Sequence, residues 1–255
     1  DEEEVWVMLG RAQLAQQLVD DAMGSFIKAN DATEYLGVIN AADAAGAHAG
    51  LVAYLQMCRK KVKEAHIDTS LIFSYAKSEQ FAALEEFISA PNVGRIQDVA
   101  ERCYGEAMYE AAKILFNSIS NFARLATCLM HLGQHQAAVD AARKANSTRT
   151  WKEVNLSCVE HKEFRLAQIC ALHIIVNPDE LEELIGSYER FGHFDEVIAV
   201  MEAGLGLERA HMGIFTELAV LYSKYKEPKL MEHIKLFWSR LNIRKVLKAC
   251  EEGAQ

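Results

Sequence analysis

The 255 residues, 51% of them hydrophobic, suffice to bury a large core, as one elongated body or as two compact domains. A formal net charge of −9, from 36 acids against 27 Lys and Arg, repels a phosphate backbone and argues against nucleic acid as a partner. Three prolines, against an average usage of about 5%, favour helix, because proline removes a backbone donor and clashes inside one.

In chain order, Asp1-Glu2-Glu3-Glu4 has neither an initiator Met nor a basic targeting region, so the chain reads as a piece of a longer protein. Asp31 to Glu34 and Thr150 to Glu153 have the spacing of capping boxes. Asn177-Pro178-Asp179-Glu180 offers a capping side chain, a proline at the first helical position and two acids where the helix dipole is positive. Leu132-Gly133-Gln134 and Phe191-Gly192-His193 are connections short enough only for antiparallel neighbours. Gly204-Leu205-Gly206 reads as a helix end. Ile214, Leu218, Leu221, Tyr222 and Tyr225 share one helical face. Asn242 caps a last helix expected to run to about Glu252, with the array continuing past it. No stretch shows strand alternation, and no apolar run reaches the 18 or so residues of a membrane span.

The helices recur. Equivalent positions in the second helix of each hairpin fall at Val19, Ala49, Phe81, Tyr109, Gln136, Phe164, Phe194 and Leu230, a spacing of about 30 residues. One hairpin cannot bury its apolar stripe alone, so successive units must stack. The expected fold is all-α: a right-handed α-α superhelix, or α-solenoid, of about eight hairpins. Residues 1–255 read as one continuous array with no internal linker. Ala137, Ala138, Ala141, Ala142 and Ala145 make an alanine face that permits close helix approach.

Catalytic signatures are absent: there is no Walker-type phosphate loop, no G-x-S-x-G elbow and no H-E-x-x-H helix. No enzyme activity, cofactor or metal site is expected. His131 and His135 have ligand spacing, but Gly133 breaks the helix between them. The six cysteines lack C-x-x-C spacing and read as buried thiols. Carboxylates at Asp179, Glu180, Glu182 and Glu183 suit a helix N-terminus without further purpose, and Arg59, Lys60, Lys61 and Lys63 suit a helix C-terminus. Trp151 and Trp238 read as core. The candidate partner-binding residues are Arg240, Arg244, Lys245 and Lys248 around the start of the last helix, with Arg244 and Lys248 one turn apart on a face.

Several stretches go beyond generic solenoid pattern: AVDAARKANSTRTWKEV (138–154), EFRLAQIC (163–170), LGLERAHMGIFTELA (205–219) and LFWSRLNI (236–243). These closely resemble the clathrin heavy chain family, in the leg around the knee and the start of the proximal segment. The resemblance implies a structural coat role in endocytosis and vesicle transport, on the cytoplasmic face of coated pits and vesicles. It implies other heavy chains as partners in the triskelion and lattice, clathrin light chain along the proximal leg, and membrane contact only through coat assembly. The family's propeller and trimerisation regions lie outside this sequence, and no catalytic residue carries over. Asp43 to Gly50 is poorer in charged and aromatic residues than the family pattern. A different solenoid, such as a membrane-tethering or sorting-complex subunit, is the alternative that periodicity alone permits.

Overall fold

The computed structural model describes residues 1–254. Among these there are seventeen α-helices, one 3-10 turn at Trp238–Arg240 and no strand. The helices group into two compact units, Asp1–Leu132 and Gly133 onward. The first contains α1 (Glu2–Ala15), α2 (Val19–Lys28), α3 (Tyr35–Ala45), α4 (His48–Lys61), α5 (Ala65–Lys77), α6 (Phe81–Ser89), α7 (Ile96–Gly105), α8 (Tyr109–Ser118) and α9 (Phe122–His131). The second contains α10 (His135–Ala145), α11 (Thr148–Glu160), α12 (Phe164–Ile174), α13 (Pro178–Arg190), α14 (Phe194–Gly204), α15 (Met212–Tyr225), α16 (Glu227–Phe237) and α17 (Ile243–Gly253). Within each unit, short helices joined by tight turns form the repeating hairpins of an α-solenoid.

One turn geometry is used again and again. A residue with positive φ ends the helix, and the amide after it bonds to the carbonyl five residues back, which satisfies a helix-end acceptor. Leu18 N–H reaches Gln13 O at 2.9 Å, Met108 reaches Cys103 O at 2.8 Å and Glu163 reaches Cys158 O at 2.8 Å. The left-handed residue is glycine at Gly46 and Gly192, but Gln17, Glu79, Ala107, Ser120 and Lys162 take the same conformation with a side chain. Those five positions accept a Cβ clash of about 1 kcal/mol each to close the turn.

Each unit has its own apolar interior. In the first, Phe26 and Tyr54 pack with ring centroids 6.2 Å apart, and Leu55, Ile72, Leu115 and Phe116 are fully buried. Gly10 is required there, since a Cβ on it would lie 2.9 Å from the Phe26 ring. In the second, Trp151, Tyr188 and Phe215 are buried, with Ala138, Ala141 and Ala142 letting α10 sit close to its neighbours. The Asn155 amide donates to Ala167 O at 2.8 Å and to the Tyr188 hydroxyl at 3.1 Å, which pins α11 to α12 and α13. Cys58, Cys103, Cys128, Cys158 and Cys170 are buried free thiols and Cys250 is partly buried. Burial pushes the Cys103 and Cys128 thiols up to about 12, which leaves them protonated and unreactive.

Three local expectations need correction. Asp31 does not cap a helix: its carboxylate accepts from the Thr33 amide at 3.3 Å and hydroxyl at 2.8 Å, a side-chain turn that delays α3 to Tyr35. Thr150 lies inside α11, buried, while Glu153 pairs with Arg149 at 2.9 Å instead of reaching back to a cap. Trp238 is not core, being 60% exposed. The other caps form as expected, with Asn177 accepting from Asp179 N–H and Asn242 from Lys245 N–H.

Candidate partner-binding surface

The four basic residues singled out in the sequence lie on the 3-10 turn after α16 and on α17. The element beneath them is α15, whose Ile214, Leu218, Leu221 and Tyr222 are buried as their spacing requires. Tyr225, the last of that set, is instead 38% exposed, stacked on Phe194 at 4.2 Å with its hydroxyl donating to Glu189 at 2.9 Å. Phe215 and Ala219 of α15 form a core with Leu241 and Val246, against which Leu230, Ile234 and Phe237 of α16 pack. His233 is buried beside it, and its Nε2 lies 2.9 Å from Phe215 O. A carbonyl can only accept, so that nitrogen carries a proton. Burial holds its pKa below the ordinary value of 6.5.

This core decides which basic side chains are available. Arg240 is used internally: its guanidinium lies over the Phe215 ring at 4.1 Å and Nη2 donates to Ala210 O at 2.8 Å. Lys245 is used internally as well, donating to Glu182 Oε1 at 2.8 Å and to Glu217. Those hydrogen bonds raise its pKa, and the bond from Lys245 holds Glu182 below the usual carboxylate range. Its ammonium thus lies across a groove of about 660 Å³ at the starts of α13, α15 and α17. Arg244 and Lys248 point elsewhere. Both are exposed; Lys248 has only Glu252, at 4.0 Å on its own helix, and Arg244 has no ion-pair partner among the described residues.

Apolar surface accompanies them. Leu247, between the two free cations, is 57% exposed, and Met231, Leu236 and Trp238 are each exposed by 59% or more. Sequence reasoning missed these, although a signal existed. Leu236, Phe237 and Trp238 are consecutive, and a helix cannot turn three neighbours inward; only Phe237 does so, 5.0 Å from the Phe215 ring.

Most of the remaining sequence candidates are absorbed by the fold, while Lys60 and Lys63 stay exposed. Arg59 donates to the buried carboxylate of Asp68 at 2.8 Å and to Pro91 O at 2.7 Å, and Lys61 bonds to Asn30 O. His131 stacks on Tyr109 at 4.2 Å, and His135 is buried against His161. His211 caps α15, accepting from Gly213 N–H through Nδ1 while Nε2 donates to Ile175 O at 2.7 Å. Among the described residues no group of three or more His, Cys, Asp or Glu could hold a metal, and no helix is long and apolar enough to cross a membrane.

Comparison with known proteins adds an independent line. The family model described as a region in Clathrin and VPS matches residues 26–166 and 172–254. The chain is 58% identical over 252 residues to a clathrin heavy chain of Dictyostelium discoideum, 56% over 253 residues to a probable clathrin heavy chain 1 of Caenorhabditis elegans, and 54% over 253 residues to clathrin heavy chain 2 of Homo sapiens. Each match covers 99% of this chain and 15% of the relative, so the chain spans about 15% of the length of the relatives it matches.

Proposed function

This chain belongs to the clathrin heavy chain family, and from that premise we propose that it is a structural stretch of a vesicle-coat leg. The observation that carries this reading is identity above one half with clathrin heavy chains across 99% of the chain. Identity of that extent favours the coat reading over a tethering or sorting-complex solenoid, whose relation to this chain would rest on periodicity alone. In this reading residues 1–255 are one continuous array working at the cytoplasmic face of coated pits and vesicles. Its neighbours are other heavy chains of the lattice and clathrin light chain. It performs no catalysis and takes no cofactor; its work is to hold hairpins in fixed order and offer their outer faces.

A stacked array suits that work for a physical reason. Every hairpin is held by its neighbours, so stiffness extends along the stack without any single large core. Among the cations proposed for partner contact, Arg244 and Lys248 are those that internal pairing leaves open, flanking exposed Leu247. A light chain, as an elongated and acid-rich helical partner, would meet charge and apolar surface there together.

Binding of a clathrin light chain to the 255-residue chain tests the reading. Saturable association is expected, and no detectable binding at high micromolar concentration would count heavily against it. Small-angle scattering tests the continuous array, which a compact globular profile would contradict.

A further inference from the structure

Between residues 133 and 211, only two large apolar side chains among the described residues stand exposed: Leu156 at 41% and Phe191 at 51%. Single exposed apolar residues are ordinary and need no explanation. These two, however, line the same groove, a concavity of about 520 Å³ walled by α11 and α13 and distinct from the α17 surface. Buried Ile174 and Leu184 extend its apolar lining.

The rim is acidic. Glu153, Glu160, Glu180 and Glu183 line the groove against two cations, Lys152 and Arg190, with Glu153 also paired to Arg149 at 2.9 Å. Lys152 is already committed, donating to Glu180 at 2.8 Å and Glu183 at 2.7 Å. Glu160 is exposed and has no ion-pair partner among the described residues. It is also the last residue of α11, while Arg190 ends α13 immediately before Phe191. The carbonyl ends of both helices therefore flank Phe191, and their dipoles favour positive charge. Arg190 offsets part of this, and the lining remains net negative.

We propose that this groove receives an amphipathic helix of a partner protein, with a large apolar side chain on its inner face and Lys or Arg along its flanks. Helix-in-groove docking takes its affinity from the apolar anchors and its choice of partner from the rim. An acid-rich helix suits the Arg244–Lys248 surface and is repelled here, so the two surfaces select partners of opposite charge. The inference does not rest on the coat reading and stands or falls by itself.

The test is fluorescence anisotropy of the full 255-residue chain with a synthetic helical peptide of about four turns. Its inner face carries Leu and Phe, and its flanks carry Lys; a second peptide keeps the face and replaces every Lys by Glu. The Lys peptide is expected to bind, weakening about tenfold in the exposed-site variant Phe191→Ser. Glu160→Lys, also at an exposed site, should weaken it several-fold and reduce its salt dependence. The proposal is overturned if the Glu peptide binds as tightly as the Lys peptide, or if both variants bind like the parent chain. Absence of Lys-peptide binding at near-millimolar concentration also overturns it, as does self-association of the chain abolished by Phe191→Ser, which would make the occupant a second copy.

Discussion

The turn after α4 and the start of α17 carry comparable basic clusters, each with two cations held by the fold and two left outward, and differ in the apolar surface beside the outward pair. At the first, Arg59 and Lys61 are drawn into the fold by a buried carboxylate and by backbone oxygens of Pro91 and Asn30, while Lys60 and Lys63 stay exposed on either side of half-buried Val62. At the second, Arg240 and Lys245 are drawn in the same way, but Arg244 and Lys248 are left outward with exposed Leu247 between them. A run of positive charge therefore says little about binding until each cation's internal partner is known. What separates structural charge from available charge is the acceptor within reach.

That distinction predicts a ranked set of effects. Arg59→Ala should be the most damaging, because Asp68, whose side chain is 5% exposed, keeps only the Val93 amide as partner. The loss should be about 2 kcal/mol in denaturant unfolding, less than for a fully buried pair because the guanidinium is partly solvated. Lys245→Met should cost about 1 kcal/mol, since Glu217, 9% exposed, loses its cation. Reversing Arg244 and Lys248 to Glu should change stability by less than about 0.5 kcal/mol, as neither holds the fold. If Arg59→Ala were as mild as that double reversal, the contrast between structural and outward charge would collapse.

A pH titration sharpens the same point with a different charge. His48, His173 and His233 all have pKa values held below the ordinary 6.5, burial being the first cause in each. In the unfolded chain they take up protons at about 6.5, so below that pH the unfolded state binds more protons than the folded one. Their contribution is intact above about 6.5 and is lost as pH falls through it toward the lower folded values. Thermal unfolding should therefore shift to lower temperature from about pH 7 to about pH 5, and His173→Gln should remove part of that shift.

Much of this architecture is legible in the residues. The positions aligned in the second helices fall within one residue of the starts of α2, α4, α6, α8, α10, α12 and α14, because apolar periodicity and turn residues are local signals. The last, Leu230, misses by three, since α16 already begins at Glu227 with Pro228 in its first turn, a start signal of its own. What local pattern could not give is the identity of partners brought from afar. Trp238 was left uncovered by the packing of Phe237 on Phe215, and Lys245 met Glu182 from 63 residues away. For the same reason the four basic candidates looked equivalent in sequence and are not equivalent in space.

The most direct test is calorimetric titration of clathrin light chain into the parent chain, Arg59→Ala and the Arg244→Glu, Lys248→Glu pair, at low and high salt. Light-chain affinity should be unchanged in Arg59→Ala and should fall about tenfold or more in the double reversal, together with most of its salt dependence. Unchanged affinity and salt dependence in the double reversal would contradict the assignment of these two cations to the partner surface.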